Sequence, residues 1–228
     1  MDGRALHFRL AGINNQNFIM RDDETGSWWQ QVTGEAIFGP LAGRRLERMP
    51  WDEVTWSLWK SEHPATQVLE PVEAFEARYA KAGWEERIAK YPVPVDPPPE
   101  DPLQPRDLVV GIEEGGQAKA FPWTALAEHR LILDVVGGVP LALALHPDGR
   151  SLRCFRREGG RGSLALFLTP DADAPRLVDG DTGMAWDFAG RPVSGPPDGK
   201  TLEPMACLKD FWFDWKAYHS GSSVWRQP

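Results

Sequence analysis

The sequence predicts an α+β protein dominated by antiparallel sheet, and three observations carry that prediction. Short runs alternate apolar and polar side chains, as in Arg4-Ala5-Leu6-His7-Phe8-Arg9-Leu10, the pattern of a strand with one buried face. Turn signals rich in Gly, Pro, Asn and Asp separate such runs at short intervals. The stretch beginning Thr25-Gly26-Ser27-Trp28-Trp29 is also written a second time. Thr25, Gly26 and Trp29 recur 157 positions later as Thr182, Gly183 and Trp186, and Gly34, Gly39, Pro40, Gly43, Leu46, Glu47 and Met49 recur after 156. Trp56, Trp59, Lys60 and His63 continue the match onto Trp212, Trp215, Lys216 and His219. A period this long predicts a duplicated β-rich unit, each copy ending in a Trp-bearing helix.

Taken in order, Arg4 to Leu10 is a strand and Ala11 to Asn17 a polar loop. Phe18-Ile19-Met20, Trp28 to Val32 and Ala36 to Phe38 are further strands, with turns at Asp22 to Gly26 and Thr33 to Glu35. From Trp51 the period becomes helical, bounded by Pro50 and Pro64. A second, more exposed helix is expected within Pro71 to Lys90, followed by a stiff proline-rich linker from Pro92 to Pro105. Leu108 to Ile112 and Ala118 to Phe121 form a hairpin, and Trp123 to His129 a short helix. Leu131–Val136, Val139–Leu145, Ser151–Arg156 and Ser163–Leu168 are strands, Arg176 to Asp179 brings the chain to the second Thr182-Gly183, and Leu208 to His219 is the closing helix. The organisation is thus a first repeat unit lacking its front half (1–70), a helical then Pro-rich connector (71–106), and a complete second unit (107–228).

Composition narrows the function classes. A formal charge of −8, a pI near 5.2 and no basic cluster argue against nucleic acid as a partner. No apolar run approaches the roughly 18 residues of a membrane span, and the first residues lead straight into a strand, so no export signal is expected. Cys154 and Cys207 have neither redox nor zinc spacing and read as small buried apolar residues. Trp59 and Trp215 read as core, and His63 and His219 as caps of equivalent helices.

The phrases Asp22-Asp23-Glu24-Thr25-Gly26-Ser27-Trp28-Trp29, Thr33-Gly34-Glu35-Ala36-Ile37, Gly39-Pro40-Leu41-Ala42-Gly43, Gly115 to Pro122 and Asp134 to Pro140 follow one another in an order that resembles the bacterial and archaeal proteins grouped as domain of unknown function 3179. The resemblance implies relatives made of two complete units behind an export signal, and hence a chain shortened at its N-terminus. It also implies a Cys-Pro-x-Cys loop after the Gly-Gly-Val-Pro phrase, with thiol-redox or soft-metal chemistry. The matching positions here are His146-Pro147-Asp148-Gly149, a degenerate loop without sulfur whose Pro and Gly suit a tight turn.

The leading expectation is therefore a non-catalytic binding or assembly module, with no catalytic residue, metal or cofactor; a thiol-redox or metal-handling protein is the alternative. The ligand-binding candidates are Asn15, Asn17, Asp22, Thr25, Trp29 and Gln31, a polar cluster beside tryptophan that suits a small polar ligand. The competing reading is that these groups satisfy turn backbones. In the second copy Phe188 replaces Gln31, and Pro170 to Pro175 replace the amide loop. The expected partner is a second copy or another protein that completes the first unit, meeting the first strands and the Asn14 to Asn17 loop.

Overall fold

The computed structural model describes residues 3–93, 101–159, 162–171, 174–194 and 200–227. It is β-rich and mostly antiparallel with few helices. The chain opens with an antiparallel meander of β1 (Phe8–Asn14), β2 (Asn17–Asp22), β3 (Trp28–Gln30) and β4 (Ala36–Phe38), paired in that order. The short helix α1 (Trp56–Glu62) follows, capped by the Thr55 hydroxyl, which accepts from Leu58 N. The connector holds a 3₁₀ turn (Glu73–Arg78) and α2 (Trp84–Ile88).

Two sheets then form the centre. β5 (Leu108–Glu114) and β6 (Gln117–Pro122) make a hairpin, α3 (Trp123–His129) covers it, and β7 (Leu131–Val136), β8 (Val139–Leu145) and β9 (Leu152–Arg156) make the next layer. After the small ladder β10 (Glu158–Gly159) and β11 (Gly162–Ser163) comes a second meander, β12 (Leu166–Leu168), β13 (Arg176–Asp179), β14 (Ala185–Asp187) and β15 (Pro192–Ser194). The C-terminal segment returns to the centre: β16 (Glu203–Pro204) pairs with β9, β17 (Leu208–Phe211) with β5, and β18 (Ser223–Val224) runs parallel to β6, with α4 (Trp212–Tyr218) between them.

Among the described residues, three apolar clusters hold these layers together. Val110, Ile112, Phe121 and Leu126 pack on Leu141, Leu143, Leu145 and Cys154 between the two central sheets. On the other face of β8 and β9, Ala142, Ala144 and Phe155 meet Leu166, Leu177 and Trp186 of the second meander. Trp212 and Trp215 of α4 lie on Val109 and Ala120. Gly111 permits that last approach, because a Cβ there would sit 2.3 Å from the Trp215 ring. Among the described residues, no side chain of β1–β4 belongs to any of the three clusters.

Several boundaries differ from expectation for identifiable reasons. The expected Leu208–His219 helix is strand for its first four residues, because β5 offers a free ladder edge that Leu208 to Phe211 complete. Helix α1 starts at Trp56, not Trp51, since Glu53 bridges to Leu152 and holds the preceding residues extended. The amide stretch is no open loop: β1 runs to Asn14, and Asn15 and Gln16, at φ 50° and 68°, form a two-residue hairpin turn. The 71–90 helix is split in two, and much of the Pro-rich linker, residues 94–100, lies outside the described residues.

Candidate functional site

The six sequence candidates fall at opposite ends of β2. Asp22, Thr25 and Trp29 form one group. The buried Asp22 carboxylate accepts from Thr25 N (2.5 Å), Thr25 Oγ1 (2.9 Å) and Trp29 Nε1 (2.7 Å). Burial works to raise its pKa, but these hydrogen bonds outweigh it and hold the carboxyl below its usual range. In the second meander Asp179 accepts from the Thr182 hydroxyl at 2.5 Å in the same turn, whereas Trp186 Nε1 donates to Lys200 O. All three side chains of the first group are thus engaged in shaping a turn.

Asn15, Asn17 and Gln31 lie at the other end, around the hairpin tip. Gln31 Oε1 accepts from Phe18 N at 3.1 Å, and Asn17 Nδ2 reaches the Asn15 carbonyl at 3.4 Å. The Asn17 amide also donates, in a short hydrogen bond, to Asp214 Oδ2 on α4, nearly two hundred residues away. Asn14 Nδ2 lies 3.4 Å from the Tyr218 hydroxyl, one turn further along that helix. The hairpin tip is therefore docked on α4.

Beneath it lie residues that sequence reasoning missed. Asp210 and Asp214 are neighbouring, mutually coupled carboxyls, and the buried Asp214 Oδ1 has no hydrogen-bond partner. Burial first, then the neighbouring Asp214, pushes Asp210 up to about 8; burial also raises Asp214. Arg106 lies 4.8 Å from the centres of both Phe211 and Phe213, and its Nη groups donate to Gln16 Oε1, Tyr91 O and Pro92 O. Two acids four residues apart inside the aromatic run Asp210-Phe211-Trp212-Phe213-Asp214 were the signal available for this pair.

The strands that carry the tip also present an apolar face. Phe8 opposes Asp22, Leu10 opposes Met20 and Ile13 opposes Phe18, so Phe8, Leu10, Ile13 and Phe18 share one side of the sheet, and all four are exposed, Ile13 at 65%. In the second meander Leu166 opposes Asp179, placing Leu166 and Leu168 at the places of Phe8 and Leu10, and there β8 and β9 cover them. The segments after each meander differ likewise: Met49 is 74% exposed and Met205 3%.

The degenerate loop His146-Pro147-Asp148-Gly149 is a tight turn. Asp148 accepts from Arg150 N, Ser151 N, Ser151 Oγ and Thr55 Oγ1. Burial opposes ionisation, yet these bonds hold Asp148 down at about 2. His146 sets its ring edge against Phe188. Cys154 and Cys207 are free and buried side by side, and burial followed by the Cys207 contact pushes the Cys154 thiol well up, which disfavours its nucleophilic form. Among the described residues no group of three or more His, Cys, Asp or Glu is placed to hold a metal ion. Nor, among them, is any helix long and apolar enough to cross a membrane.

His63 and His219 cap α1 and α4 as expected from their spacing: each backbone N–H donates to the carbonyl of Trp59 or Trp215, and each ring lies against that tryptophan. Trp215 is buried; Trp59 is only half-buried, because among the described residues no strand crosses above it as β5 crosses Trp215.

No curated protein and no solved structure matches the chain. The family model described as protein of unknown function, DUF3179, matches residues 1–222. With nearly its whole length matched, and with the quoted phrases placed on its turns and strands, the chain belongs to the DUF3179 family.

Proposed function

We propose that the chain is a binding and assembly module made of two copies of one β-rich unit, in which the second copy covers its own apolar face and the first holds its face open for a second copy of the protein. One observation carries this reading. Phe8 and Leu10 are exposed where Leu166 is buried and Leu168 is partly covered, and Met49, Trp51 and Trp56 are exposed where Met205, Cys207 and Trp212 are buried. The first face thus has the composition of an interior surface, and a cluster of exposed apolar side chains of this kind marks an interaction site.

A second copy suits it for two reasons. β1 is a sheet edge with unpaired backbone groups on one side, and two such edges or faces related by a twofold axis are self-complementary. The flank also carries both signs of charge, with Arg9 paired to Asp23 and His7 to Glu24, so apposed copies can exchange these partners. A small polar ligand at the hairpin tip would have to displace the bonds that Asn17 and Gln31 already make, and the thiol-redox alternative would have to draw on a Cys154 thiol that burial holds in its protonated form.

Light scattering over a concentration series tests the proposal. The expected result is a mass that rises to twice that of the chain and stays at one chain when Leu10 and Ile13 are both replaced by Lys, with an unchanged Tm. A monomer at every concentration overturns the reading.

A further inference from the structure

Neither Asp210 nor Asp214 has an ion-pair partner among the described residues. The charged and polar groups around them are accounted for on every packed element. From the segment before β5, Arg106 acts on Asp214 across space; its Nη groups are spent on Gln16 and on the carbonyls of Tyr91 and Pro92, and its buried Nε has no partner. From the hairpin tip, Asn17 supplies one amide. On α4, Lys216 turns to Asp101 and Tyr218 to Asn14; on β17, Lys209 turns to Glu53. Two carboxylates so placed would leave Asp214 Oδ1 facing a like charge with no donor, whereas one proton between them supplies that donor.

We propose that Asp210 and Asp214 share a proton and form a proton-operated latch that fastens the β1–β2 hairpin tip, and with it the end of the connector at Tyr91 and Pro92, onto α4. The hairpin is held by Asn17 on Asp214, by Asn14 on Tyr218 and by Gln16 on Arg106 and on the Pro92 carbonyl, so these ties run to this patch and to the connector end beside it. The latch goes beyond the proposed association and does not depend on it.

The direction of its pH dependence follows from the raised value of Asp210. On this proposal, lifting the tip readmits water to the pair and lets Asp210 fall back toward its ordinary 3.8, whereas docked, raised by burial first and by Asp214 second, it titrates at about 8. The docked state is therefore favoured fully below about pH 4, loses ground as pH rises toward 8, and changes little above that.

Hydrogen exchange of residues 10–20 in the full chain, corrected for intrinsic rates, reads the latch directly. Protection of the tip should fall at least about tenfold between pH 5 and pH 8, and Asp210→Asn, which keeps a donor and removes the charge, should give protection independent of pH. Tip protection that is flat in the unmodified protein, or the same slope in Asp210→Asn, overturns the proposal. Should Asp210→Asn fail to fold, the infrared band of a protonated carboxyl at neutral pH in the unmodified protein, lost in Asp214→Asn, carries the same decision, and its absence from the unmodified protein refutes the shared proton. Association by light scattering is scored separately, so failure of the latch and failure of the dimer are distinguishable.

Discussion

Helices α1 and α4 end in the same way and live in different surroundings. The residue after each, His63 or His219, has φ near −130° with ψ 68° or 61°, and the Trp59 and Trp215 indoles donate to the hydroxyls of Thr66 and Ser222 at 3.0 and 2.8 Å. Yet α1 buries no residue, whereas α4 buries Trp212, Phe213, Asp214 and Trp215. Similar local sequence produced similar local geometry because capping, turn and tryptophan hydrogen bonds close within a few residues. Burial followed from what lies across the face. β5 and β6 cover α4; among the described residues no strand lies in the corresponding place over α1.

This contrast is breakable in graded steps. Trp215→Ala should cost about 3–5 kcal/mol by urea denaturation, and Trp59→Ala about 1 kcal/mol. Equal costs would mean that α1 is as well covered as α4. Asp22→Asn should cost about 1–3 kcal/mol at neutral pH, since it replaces an acceptor of three hydrogen bonds. Asp22 is held below its ordinary 3.8, so its contribution is present above that value and lost as pH falls below it; the two proteins should converge in stability in acid.

Asp148→Ala should cost about 1 kcal/mol by removing the acceptor that ties the Thr55 cap of α1 to the turn before β9. Because Asp148 titrates at about 2, that loss should persist until pH falls from about 4 toward 2. The smallest effect on folding is expected from Trp56→Ala, within about 0.5 kcal/mol. If the open surface extends to α1, the same change should weaken self-association; a drop in Tm comparable to that of Trp212→Ala would instead place Trp56 in a core.

Much of the central fold was legible in the residues. The hairpin around Glu114-Gly115-Gly116, the helix Trp123–His129 and the strands from Leu131 to Arg156 stand where alternation and turn residues put them. The functional candidates were less so. Asn17 and Asp22 are close in sequence, but a six-residue strand carries them to opposite ends of the sheet, and Asn17 finds its partner on α4. Asp210 and Asp214 become a coupled pair only because the chain turns from β17 into α4 between them.

The sequence by itself determined the turns, the caps and the alternation of the strands, because each rests on contacts between residues a few positions apart. It also carried the family membership, through phrases that place those turns in order. Tertiary structure decided that the Leu166 face is covered and the Phe8 face open, that Leu208 to Phe211 become strand, and that two aspartates meet beneath a distant hairpin. Those outcomes depend on which surfaces are brought together and which groups lose water, and neither quantity is a property of any local run of residues.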